Sequence, residues 1–385
     1  MKGFDLIIVA AGKGKRFGRP KQFVPIFGRP LLTFTILKFL HIADINRVIL
    51  VLPPECFERG GKCPDFLNLD PRILTAKGGA ERTDSVANGL RLVESEFVLV
   101  HDGARPLVSQ KLINNVMNAL KTGMKAVVPA IPVRDTMKKL ADSGEVEGIV
   151  ERKGVMQIQT PQGFKSKLLK KAYEKANAQS LKATDDSTLV ELTLGIRSKI
   201  VEGDPVNLKI TYPEDLEFLK RNLFNELLVG HGYDFHRLRS GRRFVLGGVH
   251  FEDVNFGPLG HSDGDALIHA IIDALISPCG LGDIGKLFPD TDPRFKDISS
   301  VELLRKVSDT LTKAGCVPLN IDATVILERP KIGSKTEEMR RIIAETLNIS
   351  SQKITIKGKT AEGLGPVGEG KAVEVHVVAL IGKAI

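Results

Sequence analysis

The first part of the chain alternates short apolar runs with amphipathic stretches. Residues 5–11 (DLIIVAA), 47–52 (RVILVL) and 97–102 (FVLVHD) have the near-continuous apolar character of strands covered on both faces. Between them, residues 30–40 and 84–93 read as helices, the first with a proline suited to an opening turn. This alternation predicts a doubly wound α/β domain that binds ligands at the carboxyl ends of its strands. The charged, glycine-punctuated stretch 133–156 reads as an arm protruding from the sheet. Residues 207–211 are expected to return as a strand before a last helix over 213–223, which carries acidic residues in its first turn.

The pattern changes around residues 222–229, which sets the expected domains at 1–225 and 226–385, joined by a short linker. The second half reads as a strand (243–248), two helices (265–276 and 300–314), a strand (320–327), a helix (336–347) and two strands (353–359 and 372–381). That is an α+β domain large enough to fold by itself.

Composition narrows the classes. With 42% hydrophobic and 26% charged residues in 385, the chain is globular and long enough for two domains. No run approaches the roughly 18 apolar residues of a membrane span, and residues 1–10 carry no targeting pattern. The four cysteines (Cys56, Cys63, Cys279, Cys316) have neither disulfide-framework nor zinc-knuckle spacing, which suits a reducing compartment. A cytoplasmic protein with no membrane partner is expected. Charge is uneven: residues 1–225 hold 35 basic against 25 acidic side chains, the remainder 20 against 21. Five of eight histidines lie between His231 and His269. A basic half and a His/Asp-rich half imply two different sites.

In the first half, Ala10, Ala11, Gly12, Lys13, Gly14, Lys15 and Arg16 directly follow a strand. Glycines there let backbone N–H groups face a phosphate, and the cations add charge. The loop is neither a Walker A sequence nor a strict dinucleotide fingerprint. Further along come Pro20-Lys21, the turn from Gly78 through Gly79, Glu81, Arg82 and Asp84 to Ser85, the motif His101-Asp102-Gly103-Ala104-Arg105-Pro106 at a strand end, and Pro132-Val133-Arg134-Asp135-Thr136. Asp84 by itself is expected to be a helix N-cap.

These motifs, in this order over about residues 3–222, resemble the nucleotidylyltransferases that activate sugar phosphates. Among those they resemble the methylerythritol phosphate cytidylyltransferases of the non-mevalonate isoprenoid pathway. The resemblance implies a Rossmann-like domain with a dimerising arm, which takes CTP and methylerythritol phosphate and releases pyrophosphate. Arg16 and Lys21 would stabilise the charge at the α-phosphorus, Lys209 would add a phosphate contact, and Mg²⁺ would bridge the triphosphate. Backbone at Ala10, Ala11, Gly12, Gly14, Gly79 and Ser85 would hold the nucleotide, with Asp102 at the ribose or metal ion. Arg105, Thr136 and Arg152 would grip the sugar phosphate.

In the second half, Asp234 and His236 project to one face if residues 230–236 (GHGYDFH) are extended. His261, Ser262 and Asp263 then lead into a helix that carries His269 and, four residues on, Asp273. Two imidazoles and one carboxylate with an open position form a catalytic-zinc ligand set. Asp273 reads either as a carboxylate orienting His269 or as a group that only solvates the helix. With residues 281–292 (LGDIGKLFPDTD) and 359–365 (KTAEGLG), this half resembles the methylerythritol cyclodiphosphate synthases from about residue 228 onward.

By that resemblance Asp234, His236 and His269 would bind Zn²⁺ or another divalent metal. His261 and Ser262 would contact a substrate phosphate, while Asp263, Asp283 and Gly285 would line the sugar pocket. Glu362 would hold Mg²⁺ between the nucleotide phosphates, Thr360 would contact the diphosphate, and Pro330 and Lys331 would border the cytosine. The substrate would be CDP-methylerythritol phosphate, cyclised with loss of CMP. A trimeric second half together with a dimeric first half would give a homo-oligomer as large as a hexamer. The step between the two reactions needs a kinase, a further expected partner. Residues 365–370 (GPVGEG) stand where the family more commonly carries Thr and Arg. The competing readings are a different sugar-phosphate nucleotidylyltransferase fused to a zinc-dependent phosphate-handling domain, and a basic nucleic-acid-binding module. The scarcity of stacking aromatics, with no tryptophan and three tyrosines, argues against nucleic acid.

Overall fold

The computed structural model describes residues 2–58, 63–64, 66–179, 181, 183–260, 262–289, 291–295 and 298–384. The chain divides into two compact units, residues 1–24 with 30–223 and residues 25–29 with 224–385.

In the first unit the strands are β1 (Phe4–Val9), β2 (Ile45–Leu52), β3 (Ile73–Lys77), β4 (Phe97–Asp102), β5 (Ala126–Pro132), β6 (Met137–Leu140), β7 (Val146–Val150), β8 (Met156–Ile158), β9 (Gln162–Lys165) and β10 (Lys199–Glu202). Its helices are α1 (Leu31–Leu40), α2 (Arg82–Leu90), α3 (Gln110–Lys121), α4 (Ser166–Ala178), α5 (Asp186–Leu194) and α6 (Asp215–Asn222). The main sheet runs β8-β5-β9-β4-β1-β2-β3, and β10 pairs with β5. Strands β4-β1-β2-β3 are parallel. Strand β9 is antiparallel to both its neighbours, so the sheet is mixed where a parallel one was expected.

Side chains alternate across each strand. Leu6 and Ile8 therefore meet Leu32, Ile36, Leu112 and Val116 of α1 and α3 on one face. Ile7 meets Val86, Leu90, Leu169 and Leu189 of α2, α4 and α5 on the other. Burial on both faces is why the strand sequences are unbroken apolar runs. The protruding arm is the β6–β7 hairpin, on which Leu140, Val146 and Ile149 are exposed.

Residues 207–211 do not form the expected strand. Their backbone is engaged elsewhere: Ile210 N–H donates to Ala104 O, and Thr211 N–H donates to Asp215 Oδ2. The cysteine expectation also fails in part, because Cys56 and Cys63 form a disulfide with Cα atoms 5.0 Å apart, while Cys279 and Cys316 are free. Cys56 lies in the turn Pro54–Phe57, and its partner is seven residues further along the chain. The cysteines therefore no longer argue for a reducing compartment. Among the described residues no helix is long and apolar enough to cross a membrane.

The second unit opens directly on a long strand, β11 (Glu226–Ser240), followed by β12 (Phe244–Leu246), β13 (Val249–Phe251) and β14 (Phe256–Pro258). Helices α7 (Ala266–Ile276), α8 (Ile284–Leu287), α9 (Ser300–Lys313) and α10 (Thr336–Leu347) then alternate with β15 (Cys316–Ile326), β16 (Ile354–Lys359) and β17 (Ala372–Lys383). The sheet runs β14-β11-β17-β15-β16. One face is apolar, with Val373, Val375, Val377, Ala379 and Ile381 packed under α7, α9 and α10. The other face leaves Val229, Tyr233, Phe235 and Val378 exposed. Helix α7 is almost wholly buried and lies on β11 with no side chain between them. A Cβ on Gly230 or Gly232 would come 1.8 Å from the carbonyl oxygens of Ala274 and Ala270 respectively.

Candidate active sites

At the first site the glycine loop begins at the carboxyl edge of β1. Gly14 has a φ of 66°, and a Cβ there would lie 1.9 Å from Arg19 O. Only glycine lets the loop fold back so closely on residues 19–21, which brings Lys21 within electrostatic reach of Arg16. The exposed Arg16 guanidinium sits over the Tyr212 ring, 5.8 Å from its centroid. Lys21 is half-buried; that burial, then the Lys209 and Arg16 cations, lowers its ammonium to a pKa of about 8 against the pull of Asp102.

A Cβ on Gly78 would meet Ala11 Cβ at 2.2 Å, so the glycine turn lies against the loop after β1. The loop that carries Ala10, Ala11, Gly12 and Gly14 thus meets the turn that carries Gly79 and Ser85 at the Ala11–Gly78 contact. The Ser85 hydroxyl is occupied within that turn, accepting from Gly79 N–H at 3.1 Å and donating to Glu81 O at 3.0 Å. Asp84 is not the N-cap of α2; Glu81 is, and Asp84, three residues on, accepts its N–H at 3.0 Å to close a capping box.

Asp102 is the hub. At the end of β4 its Oδ2 lies 2.8 Å from Lys209 Nζ and 3.5 Å from Arg105 Nε, and its Oδ1 lies 3.5 Å from Arg82 Nε. Burial pushes its carboxyl pKa up, but the three cations outweigh burial and hold it well below the usual carboxylate range. Arg82 continues to the fully buried Asp186 at 2.8 Å, which accepts the Tyr173 hydroxyl at 2.5 Å. Neighbouring His101 is wholly enclosed, with Nδ1 3.0 Å from Thr160 Oγ1 and Nε2 3.1 Å from Arg105 O. Burial lowers its pKa to about 4, so it is a neutral strut below Asp102.

Arg105 is nearly buried, and beyond its ion pair with Asp102 it donates to Asn207 O at 2.8 Å. Thr136 and Arg152 are exposed on and beside the arm, and Arg152 donates to Arg134 O at 2.6 Å. No hydrogen bond or ion pair among the described residues brings Thr136 or Arg152 to Arg105.

The second site is built where α7 crosses β11. Glycines 230 and 232 occupy the face of β11 that also carries Asp234 and His236, so the helix reaches the strand and lowers His269 onto them. Asp234 Oδ2 lies 2.9 Å from His236 Nε2 and 3.0 Å from His269 Nδ1, and the two nitrogens are 3.2 Å apart. The outer nitrogens are engaged: His236 Nδ1 lies 3.0 Å from Leu259 O, and His269 Nε2 lies 2.9 Å from Ser300 Oγ and 3.0 Å from Ser262 Oγ. Three donor atoms converging while each ring's far side is held elsewhere is a set that fits a divalent cation. Burial raises the Asp234 pKa, but hydrogen bonds from His236 and His269 outweigh it and keep the group a carboxylate.

The remaining assignments divide. His261 lies outside the described residues. Ser262 is at the cluster. Asp263 is engaged with Ser300, accepting its N–H at 2.9 Å and its hydroxyl at 2.5 Å. Asp273 does not reach His269; it accepts Ile284 N–H at 2.7 Å and so holds α8 against α7. Asp283 caps α8 through Lys286 N–H at 2.8 Å, beside the exposed Gly285.

Thr360 donates to Glu362, and Ala361 N–H donates to Glu328 Oε1 at 2.9 Å. Pro330, Lys331, Thr360 and Glu362 thereby gather where β15 and β16 end. No hydrogen bond or ion pair among the described residues joins this group to the Asp234 cluster.

Sequence reasoning missed Arg82, Asp186, Tyr212 and Ser300. Arg82 lies inside a quoted motif. Asp186 opens a helix after the N-cap Asp185, whose side chain accepts Thr188 N–H. Their partnership, 104 residues apart, leaves no local signal.

Residues 4–223 match the family model described as 2-C-methyl-D-erythritol 4-phosphate cytidylyltransferase (IspD), and residues 227–382 match the YgbB family. A "Bifunctional enzyme IspD/IspF" from Anaeromyxobacter sp. (strain Fw109-5) is 40% identical over 97% of both chains. One from Desulfotalea psychrophila is 39% identical over 99% of this chain and all of its own. Among solved structures, a 4-diphosphocytidyl-2C-methyl-D-erythritol synthase from Anaerococcus prevotii covers 58% of this chain and 98% of its own, at 35% identity and a TM-score of 0.50.

Proposed function

The chain belongs to the family of bifunctional IspD/IspF enzymes, which pair a cytidylyltransferase with a cyclodiphosphate synthase in isoprenoid biosynthesis, and from that premise we propose which of its residues perform each reaction. Residues 1–225 carry the transfer and residues 226–385 the cyclisation. In the first reaction a methylerythritol 4-phosphate oxygen attacks the α-phosphorus of CTP in line, and pyrophosphate leaves. The charge accumulating on the phosphoryl oxygens needs fixed cations already in place. Arg16 and Lys21 supply them from the glycine loop. Lys209 is held over the same place by Asp102, Arg105 anchors the segment that carries Lys209, and Arg82 restrains the other Asp102 oxygen. Asp102 reaches the ribose or a Mg²⁺ carried by the triphosphate. Backbone from Ala10 to Gly14 and at Gly79 receives the nucleotide, with Ser85 fixing the turn. Arg105, Thr136 and Arg152 take the sugar phosphate across a dimer formed by the arm, whose exposed Leu140, Val146 and Ile149 suit such a contact.

In the second reaction the 2-phosphate of CDP-methylerythritol 2-phosphate attacks the β-phosphorus of its own diphosphate, closing the cyclic diphosphate and releasing CMP. Asp234, His236 and His269 hold Zn²⁺, or another divalent ion that offers positive charge to phosphate oxygens. His261 and Ser262 contact phosphate, Asp283 and Gly285 border the sugar, and Pro330 and Lys331 lie by the cytosine. Thr360 and Glu362 handle the diphosphate and its Mg²⁺. The exposed sheet face with Val229, Tyr233, Phe235 and Val378 suits a trimer, whose symmetry combined with the dimer gives a hexamer. The product of the first site lacks the phosphate that the second requires. A kinase must act between them, whether docked or free, and the cytoplasm is the compartment we assign.

The observation that carries the residue assignment is the convergence of Asp234, His236 and His269 within 3.2 Å. Crossed variants test it. Arg16→Ala should abolish pyrophosphate release from CTP and methylerythritol phosphate while CMP release from CDP-methylerythritol 2-phosphate continues. His269→Ala should do the reverse and lose its metal; stoichiometric metal retained in His269→Ala would refute the ligand set.

A further inference from the structure

On the reading that Asp234, His236 and His269 bind a divalent metal, we propose that Ser300 and Asp263 are positioning residues that fix the His269 tautomer for metal binding. Ser300 opens α9 and is wholly buried. Its Oγ lies 2.5 Å from Asp263 Oδ1 and 2.9 Å from His269 Nε2. A carboxylate only accepts, so the single Ser300 hydroxyl proton goes to Asp263. Toward His269 the serine then offers only lone pairs. A ring that binds an ion through Nδ1, between Asp234 and His236, must carry its proton on Nε2, and Ser300 is the partner arranged to accept that proton, whereas without an ion Asp234 Oδ2 at 3.0 Å draws a proton to Nδ1.

The backbone keeps this chain from turning round. Ser300 N–H donates to Asp263 Oδ2 at 2.9 Å, Asp263 N–H donates to Ile298 O at 3.2 Å, and Asp265 N–H donates to Asp263 Oδ1 at 3.3 Å. Neither carboxylate oxygen is free to rotate away. Ser262 Oγ also lies 3.0 Å from His269 Nε2 and 3.5 Å from Ser300 Oγ and accepts Gly264 N–H at 3.3 Å; no carboxylate takes its proton, so of the two serines it alone can donate to Nε2. Ser262 is thus free to turn its hydroxyl to a substrate phosphate, while Ser300 cannot. The device is a His–Ser–Asp chain in place of the direct carboxylate or carbonyl partner that usually backs a metal-bound imidazole.

The test uses the full-length chain, stripped of metal and titrated with Co²⁺, whose visible absorption reports occupancy. Imidazole ¹⁵N shifts of the Zn²⁺-loaded protein report the His269 Nε2–H group, and amide spectra check the fold of each variant. Ser300→Ala should weaken Co²⁺ binding by about 10–100-fold, the usual loss for such an outer partner. Asp263→Asn should do at least as much. Its amide can donate to Ser300 Oγ, which turns the serine proton onto His269 Nε2 and opposes the ring proton that metal binding needs there; the Nε2–H signal should shift or be lost. Cytidylyl transfer should persist in both variants. Wild-type protein that binds no Co²⁺ would overturn the metal reading and this proposal with it. Co²⁺ binding by the wild type, with both variants within twofold of it and an unchanged Nε2–H signal, would overturn the proposal alone.

Discussion

Adding one methyl group at Gly232 should dismantle the second site without touching any ligand. The Gly232 Cβ would lie 1.8 Å from Ala270 O, whereas real Cβ contacts essentially never fall below 3.0 Å. Helix α7 must then retreat by at least the 1.2 Å difference, and by 1.6 Å to reach the 3.4 Å of an ordinary contact. The obstructing atom is backbone, so no rotamer change relieves it. His269 precedes Ala270 on the same turn and must move with it. Metal–ligand distances tolerate only about 0.2 Å, and designed sites fail beyond about 0.5 Å. The displacement is several times larger than either. Overpacking of this kind costs about 1–3 kcal/mol, or on the order of 3–10 °C for a domain of this size.

Gly232→Ala should therefore contain far less than stoichiometric metal by elemental analysis and release little CMP, while pyrophosphate release at the first site stays near wild type. The melting transition should fall but survive. Stoichiometric metal together with unaltered CMP release and melting would refute the claim that backbone contact between α7 and β11 places His269.

Two further outcomes concern the first site. Lys21, with its pKa lowered to about 8 by burial and by Lys209, is a cation below that pH and neutral above it. The kcat/KM for CTP, which reports the free enzyme, should decline as pH rises through about 8. Lys21→Arg should carry the decline to higher pH, and an unchanged profile in that variant would exclude Lys21 as the titrating group. Asp186→Asn would leave Arg82 without its buried counter-charge; breaking such a pair costs about 3–5 kcal/mol. Denaturant unfolding should register the loss, and KM for CTP should rise as Arg82 swings toward Asp102. A variant as stable as wild type would mean that the Arg82–Asp186 pair is no support at all.

The sequence by itself settled much of this protein. The double-sided apolar runs specified buried strands because a sheet covered on both faces has no polar face to write into its sequence. The glycines at 12 and 14 and the Asp-x-His spacing are local devices, so their chemistry was legible wherever they fell. Local pattern could not say that residues 207–211 would give up strand pairing to bond with Ala104 and Asp215, or that Asp263 would hold Ser300. Nor could it pair Arg82 with Asp186, or Cys56 with Cys63. Each of those depends on which groups a folded chain brings within about 3 Å and on which hydrogen bonds are then already taken. Gly230 and Gly232 join the two levels. Their small size is written in the sequence, but only the helix pressed on that strand gives the missing methyl groups a purpose.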